Sequence, residues 1–289
     1  MRPIFLLQKF DRKGKKFYVI RSKQHEPNNS EEEDPVPKLV VATSTRYRTE
    51  EDVQVRGRLA WRTFNACEKH RYPVVCADDI SNPTFLNSLE GLRNLTIVNG
   101  RGRTMREARQ FAIREALLSA PGVPLVWTEP EKHTLIPFLS ELSRPIRVGE
   151  ADLVLPARRS MNSLPREQAY LEACGNSLLS IYCGIEADWH FGPRVMNARA
   201  AQYLLSYDEE GRDHWEIIFV PIFRMIKDGL RVISIPVSYE HPPEQKREEE
   251  GNPDFVYRRI VQLKTLVEVM HREAMLLGLY AREGRFGLP

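Results

Sequence analysis

Two kinds of segment are missing from the sequence. No apolar run approaches the ~20 residues that a helix needs to cross a bilayer. The opening stretch, MRPIFLLQKFDRKGKK, lacks the apolar body and the small-residue cleavage site of a signal peptide. We therefore expect a cytoplasmic protein with no transmembrane segment.

Paired cysteines and internal repeats are also lacking. The cysteines are scattered, with no C-x-x-C pair and no histidine at the spacing of a zinc ligand; they are Cys67, Cys76, Cys174 and Cys183. This pattern argues against both a disulfide framework and a structural zinc site. We expect the thiols to be reduced.

Neither sign of charge dominates the chain. The 42 Lys and Arg residues are offset by 39 Asp and Glu residues, which gives a net charge of +3 and a pI near 8.6. Such a balance does not favour general nucleic-acid binding, but it leaves room for a local cationic pocket for phosphates. With 289 residues, 42% of them hydrophobic, the chain can bury a sizeable core.

The beginning of the chain has the composition of an arm and a linker. Residues 17–20 (FYVI) are typical of a short extended piece, and residues 22–38 are polar, acidic and proline-containing, as in an exposed loop. We accordingly predict an N-terminal arm and linker at 1–37 and one compact domain at 38–289.

Strand and helix patterns alternate from residue 38 onward. Short apolar runs predict strands at 39–42, 73–77, 95–98, 123–127 and 151–156. Helical spacing of apolar residues predicts helices at 59–70, 86–92, 105–119 and 135–142. This alternation predicts an α/β fold, a mostly parallel, Rossmann-like sheet flanked by helices, with a right-handed crossover between the first two strands.

Beyond residue 158 the pattern changes. Helices are predicted at 166–179, 217–227 and 255–280, and Pro221 should kink or restart the second of them. Alternating residues predict a strand at 230–237, whereas 188–193 and 195–197 read as irregular. The charged, proline-bounded stretch 242–254 is the best candidate for a flexible lid.

Two carboxylates follow the predicted strand 123–127 directly. They are Glu129 and Glu131, with Pro130 between them. Ligands of open α/β sheets bind at the carboxyl ends of strands, and side chains at i and i+2 of an extended segment point to the same side. Both carboxylates can then reach one hard cation and its phosphate-bound ligand. The alternative is a turn in which the acids satisfy the N–H groups at the head of a helix.

Five short motifs along the chain together resemble those of a known family. In order they are VVATSTRY at 40–47, CADDIS at 76–81, NGRGRTMREARQFAIREA at 99–116, EPE at 129–131 and VSYEHP at 237–242. Their order resembles the family 2 type of GT-A glycosyltransferase, the nucleotide-diphospho-sugar transferase fold, over roughly residues 38–241. That family has Asp-x-Asp at the position of Glu129-Pro130-Glu131.

The resemblance implies a set of donor-binding residues, namely Thr43, Thr45, Asp79, Arg103, Arg106, Arg109 and Glu129. Asp79 would accept hydrogen bonds from the nucleobase, with Thr43 lying against it. Arg109, with Arg103 or Arg106, would donate to the phosphates, and Glu129 would lie near the donor sugar or its ribose. The acids at 78 and 79 are alternatively a helix cap, and the arginines a solvated helix face.

The same resemblance implies a metal and a catalytic base. Glu131 and His241 would hold Mn²⁺ or Mg²⁺, although His241 is alternatively an ordinary loop histidine. Asp213 and Glu216 are the candidates for the base of an inverting mechanism, and either is alternatively a helix cap. A retaining mechanism needs no such base.

We therefore expect an enzyme, a glycosyltransferase that takes a nucleoside-diphosphate sugar and an unidentified acceptor, and we allow for a homodimer. A sugar-phosphate nucleotidyltransferase shares the fold, but would carry a glycine-rich loop after the first strand, where ATSTRYR at 42–48 has no glycine. A catalytically silent relative that binds a nucleotide or a partner protein is the third interpretation.

Overall fold

The computed structural model describes residues 5–10, 16–21, 37–208 and 216–279. The chain forms two compact units, Met1–Ile136 and Pro137–Pro289. Each unit combines a sheet with helices, so the predicted α/β class is confirmed. In the described part of the chain, every helix is too short or too polar to cross a membrane.

The sheet of the first unit contains the strands β1 to β6. Their bounds are Phe5–Phe10, Lys16–Arg21, Val40–Thr45, Val74–Asp78, Leu95–Asn99 and Leu125–Trp127. They lie in the order β1-β2-β5-β4-β3-β6. The strands β5, β4, β3 and β6 run parallel to one another, as predicted, because helical crossovers connect them along the chain. The β1–β2 hairpin, formed by the predicted arm, pairs antiparallel with β5.

The helices of the first unit follow strands β3 to β6 along the chain. They are α1 (Glu50–Asp52), a π-helical turn (Val53–Gly57), α2 (Arg58–Lys69), α3 (Pro83–Ser88) and α4 (Met105–Ser119), followed by a 3₁₀ turn at His133–Phe138. The bounds of α4 match the prediction. Its start is fixed locally, because Thr104 accepts a hydrogen bond from the Glu107 N–H while the Glu107 carboxylate accepts one from the Thr104 N–H.

The register of the parallel strands brings their carboxyl ends to one edge. Thr45 is aligned with Asp78, and Asp78 with Asn99. Trp127, the last residue of β6, is aligned with Ala42 of β3. The loops that follow these four strands therefore share one edge of the sheet, where ligands of α/β sheets bind.

The second unit contains β7 (Leu153–Arg158), β8 (Arg194–Met196) and β9 (Val232–Val237). Strand β7 pairs parallel with β9 and antiparallel with β8. The prediction of an irregular piece at 195–197 was wrong, because β8 is too short to carry a period in its sequence.

The helices of the second unit are α5 (Leu139–Arg147), α6 (Arg166–Cys183), α7 (Ala198–Leu205), α8 (Val220–Lys227), α9 (Pro243–Glu249) and α10 (Pro253–Leu277), with a 3₁₀ turn at Glu216–Ile218. Pro221 lies in the first turn of α8, where a missing N–H costs nothing, so it restarts the helix as predicted. The segment 242–254, predicted to be a flexible lid, contains α9, and its role as a lid stays a prediction.

Candidate active site

Asp78 organises the loop at the end of β4. Its carboxylate accepts hydrogen bonds from the Thr45 hydroxyl at 2.7 Å and from the Ser81 backbone N–H at 3.0 Å, and the Ser81 hydroxyl also donates to it. Asp78 is not a helix cap, because the side chain that caps α3 is Asn82, which accepts from the Thr84 N–H. The loop after β4 is thus held in one shape by buried polar contacts.

Asp79, in the loop after β4, contacts the loops that follow β3 and β5. Its Oδ1 accepts from the Gly102 N–H at 3.2 Å, in the loop after β5. Its Oδ2 lies 3.3 Å from Nε of Arg46 and 3.0 Å from Nη2 of Arg48, both in the loop after β3. The carboxylate is buried, while both arginine side chains are at least half exposed. The predicted base-binding acid therefore lies at the sheet edge within a cationic rim.

Tyr47 connects the ends of β4 and β6. Its backbone N–H donates to the Ser81 hydroxyl at 2.9 Å, and its phenol donates to Oε1 of Glu131 at 2.8 Å. Its ring meets that of Phe85 edge-on, with centroids 4.9 Å apart. Burial, and then the Glu131 carboxylate, raise the pKa of Tyr47 well above its usual value, so the phenol stays protonated and donates.

Glu131 has a raised pKa as well. Burial is the main cause, and it outweighs the opposing effects of Arg56 and of the hydrogen bond from Tyr47; the Glu129 carboxylate raises the pKa slightly further. A raised carboxyl pKa means that the ionised form lacks compensating positive charge in this environment. A nearby cation would therefore stabilise the ionised form of Glu131.

Arg109 lies on the face of α4 that packs on the sheet. The side chain is buried, and its guanidinium carbon lies 5.4 Å from the ring centroid of Trp127. Burial lowers the pKa of Arg109 to about 10, against the attraction of the Glu129 carboxylate, so the group remains a cation near neutral pH. Oε2 of Glu129 is buried without a hydrogen-bond partner among the described residues. Arg109 is thus not part of a solvated helix face.

The other predicted donor-binding residues differ in exposure. Arg103 and Arg106 are half-buried, and the guanidinium of Arg103 stacks 3.9 Å above the ring centroid of Phe111. Thr43 and Thr45 are buried in β3, and Oγ1 of Thr43 has no partner among the described residues. Both threonine side chains are thus buried in the sheet, and their donor-binding roles stay predictions.

The remaining predicted residues belong to the second unit. His241 follows β9, where its N–H donates to the Ser163 hydroxyl at 3.0 Å and its Nε2 lies 3.3 Å from Oε2 of Glu249 on α9. Glu216 is buried at the start of its 3₁₀ turn. Asp213 lies outside the described residues. The metal role of His241 and the base roles of the two acids stay predictions.

The first unit offers two carboxylates for a metal ion. Across the described residues no group of three or more His, Cys, Asp or Glu side chains is placed to hold one. Mg²⁺ commonly uses one or two carboxylates and takes its other ligands from phosphates and water. The buried, unsatisfied Oε2 of Glu129 and the neighbouring Glu131 fit that mode of binding.

Sequence reasoning missed Tyr47, Arg46 and Arg48 as parts of the site. The loop sequence TSTRYR placed them at the right edge, but their partners Glu131 and Asp79 lie far along the chain. The signal was a run of polar, aromatic and cationic residues directly after a buried strand.

The chain is similar to solved structures that include nucleotide-diphospho-sugar transferases, whereas neither protein-family models nor curated proteins match it. One is a candidate nucleotide-diphospho-sugar transferase of Desulfovibrio desulfuricans G20, with 10% identity and a TM-score of 0.42 over 86% of this chain and 100% of that one. Another is glucosyl-3-phosphoglycerate synthase of Mycobacterium tuberculosis with Mn²⁺ and UDP-glucose, with 12% identity and a TM-score of 0.48 over 80% of each chain. A third is TarS of S. aureus, with 14% identity and a TM-score of 0.47 over 84% of this chain and 70% of that one. At identities this low, only the side chains of this chain define its site.

Proposed function

We propose that this protein is a glycosyltransferase that moves a sugar from a nucleoside-diphosphate donor to an acceptor, with the help of Mn²⁺ or Mg²⁺. The observation that carries the proposal is the charge arrangement at the end of β6. Arg109 is a buried cation beside Trp127, the last residue of β6, and the buried Oε2 of Glu129 two residues later has no hydrogen-bond partner among the described residues. Glu131 follows in the same loop, where its carboxylate accepts from Tyr47. A divalent cation and a diphosphate together complement one guanidinium and two carboxylates.

Each of these groups has a defined part in the reaction. The bond between the anomeric carbon and the diphosphate oxygen breaks, and the electron pair stays on the diphosphate while an acceptor oxygen bonds to the carbon and loses its proton. Arg109 donates to the diphosphate as its charge grows, and Arg103 and Arg106 extend the cationic surface. Glu129 and Glu131 would hold the metal ion, and a divalent ion there would supply Lewis-acid stabilisation of the departing diphosphate.

Tyr47 and Asp79 take no part in bond making or breaking; they position other groups. The phenol of Tyr47 donates to Oε1 of Glu131 and so would leave the other carboxylate oxygen available to a metal ion. The buried carboxylate of Asp79 lies among N–H donors at the edge of the sheet. It would accept hydrogen bonds from the N–H groups of the nucleobase. His241 as a further metal ligand and Glu216 or Asp213 as the base complete the proposal.

The test is turnover of the donor. Protein incubated with UDP-sugars and GDP-sugars should release UDP or GDP with Mn²⁺ present and much less in EDTA. Glu129→Gln should abolish the metal stimulation, because a neutral amide binds Mn²⁺ poorly, while the matched variant Glu90→Gln, at an exposed position of the same unit, should keep it. Tight binding of a nucleotide without release or transfer would instead identify a silent nucleotide-binding relative.

A further inference from the structure

Ile80, in the loop after β4, has an uncommon backbone conformation. Its φ is +53°, in the left-handed region. In that region Cβ crowds the neighbouring carbonyl oxygen, so glycine, asparagine and aspartate are the usual occupants and a β-branched residue is an outlier. Strain of this kind clusters at ligand-binding sites.

The neighbours of Ile80 fix the shape of this loop without help from its side chain. Asp78 binds the N–H and hydroxyl of Ser81, and the Ser81 hydroxyl accepts from the N–H of Tyr47. The Asn82 N–H donates to the Tyr47 carbonyl at 2.7 Å. The turn is therefore determined on both sides of Ile80, and a glycine would adopt it with less strain.

The side chain of Ile80 has no packing reason to be apolar. It is 50% exposed, whereas Asp79 and Ser81 on either side are 6% and 3% exposed. A single exposed isoleucine is ordinary in itself. Ile80, however, is also strained and β-branched, and it lies beside the buried Asp79 and the side chains of Arg46 and Arg48 that contact it. We therefore infer that an apolar ligand group binds against Ile80 at this edge of the sheet.

We propose that Ile80 forms the apolar platform on which the nucleobase of a bound nucleoside diphosphate rests. The inference depends on the proposed function and adds a specificity-determining residue to it. A nucleobase has a flat apolar face and a polar edge. Ile80 packs against the face, while Asp79 accepts from the N–H groups of the edge, so the two adjacent residues read the two surfaces of one ring.

The chain offers a matched control for the backbone effect. Arg71 is the other described non-glycine residue with a positive φ, at +57°. It is exposed and precedes β4, whereas Ile80 follows β4, so the two lie at opposite ends of one strand. Glycine at either position relieves comparable strain, but only the change at position 80 removes a surface from the proposed base site.

The experiment measures dissociation constants for UDP, GDP and inorganic pyrophosphate by isothermal titration with Mn²⁺. The proteins are wild type, Ile80→Gly, Ile80→Asn and Arg71→Gly. We expect both changes at Ile80 to weaken UDP and GDP binding about tenfold, from the lost burial of one aliphatic side chain. Pyrophosphate binding should stay unchanged, as should all three ligands in Arg71→Gly.

The outcomes separate the inference from the function on which it rests. Unchanged UDP and GDP binding in both variants of Ile80, in protein whose thermal midpoint is near that of wild type, overturns the inference and leaves the proposed function standing. Equal weakening of pyrophosphate also overturns it, because the effect would then come from the loop as a whole. Wild-type protein that binds neither nucleotide overturns both.

Discussion

The phenol of Tyr47 donates a hydrogen bond of 2.8 Å to the carboxylate of Glu131, across 84 residues of chain. Tyr47 is buried in the loop after β3, and Glu131 follows β6. This contact joins loops from two neighbouring parallel strands, β3 and β6. It fixes the orientation of a carboxylate to which we assign a metal, so its removal has measurable consequences.

Tyr47→Phe removes this hydrogen bond and keeps the ring against Phe85. We expect a loss of about 1 kcal/mol in the free energy of unfolding, since Glu131 is half-buried and water replaces part of the contact. Urea denaturation of Tyr47→Phe, Glu131→Ala and the double variant gives the coupling between the two side chains, which should also be about 1 kcal/mol. Additive effects of the two changes would mean that the contact contributes nothing.

Arg109→Met should weaken the binding of inorganic pyrophosphate and UDP by tenfold or more. A buried guanidinium at the end of β6 is lost, and methionine keeps an apolar contact with Trp127. Arg114→Met is the control, because Arg114 is exposed on the same helix. Titration calorimetry with both ligands checks the prediction. Similar affinities for the two variants would assign Arg109 to the fold alone.

The second unit should lose stability in acid through a buried ionic network. Nε of Arg158 donates to Oδ2 of Asp188 and its Nη2 to Oε2 of Glu172, both at 2.6 Å. Burial alone would raise the pKa of both carboxyls, but Arg158 overcomes it and holds both pKa values below their usual range. A lowered native pKa stabilises the folded form above the unfolded pKa of about 4, and this stabilisation disappears as the pH falls through the native values.

Urea midpoints measured from pH 7 to pH 3 should therefore be flat down to about pH 5 and then fall. Asp188→Asn should be less stable at pH 7, because it leaves part of the Arg158 charge without a partner. Its acid decline should be shallower by up to about 1.4 kcal/mol per pH unit, the slope of one proton. Parallel acid declines for the two proteins would contradict the assignment.

Gly175→Ala should destabilise the second unit even though alanine is the better helix former. A Cβ at position 175 would overlap Cε1 of His190. His190 cannot easily turn away, because its Nδ1 lies 3.0 Å from Oδ1 of Asn176. We expect a loss of about 1–3 kcal/mol in urea denaturation. His190→Ala in the Gly175→Ala background should recover part of it; an unchanged or raised stability of the single variant would refute the clash.

Local signals predicted the regular elements well. The start of α4 follows from Thr104 and Glu107, which cap the helix within one turn, and β3 and β4 follow from short buried runs. The helix α9 was missed because its charged sequence is typical of a loop. Its last residue, Glu249, contacts His241, which precedes the helix, and no period in the sequence reveals a contact of this kind.

The site was predicted only in outline. Sequence placed Asp79 and Glu131 after strands and Arg109 on the helix that follows β5, and parallel pairing brings the strand ends to one edge. It did not predict which partner each side chain takes. The contacts of Tyr47 with Glu131 and of Arg48 with Asp79 depend on tertiary structure, because they join loops that are distant in sequence.

The most direct test of the account is the position of Mn²⁺ in a crystal of the protein grown with UDP or GDP, located by anomalous scattering at the manganese absorption edge. The account predicts one peak in contact with carboxylate oxygens of Glu129 or Glu131, with the diphosphate bound to the same ion and within hydrogen-bond distance of Arg109. A nucleotide bound elsewhere on the molecule, or a manganese peak away from both carboxylates, would contradict it.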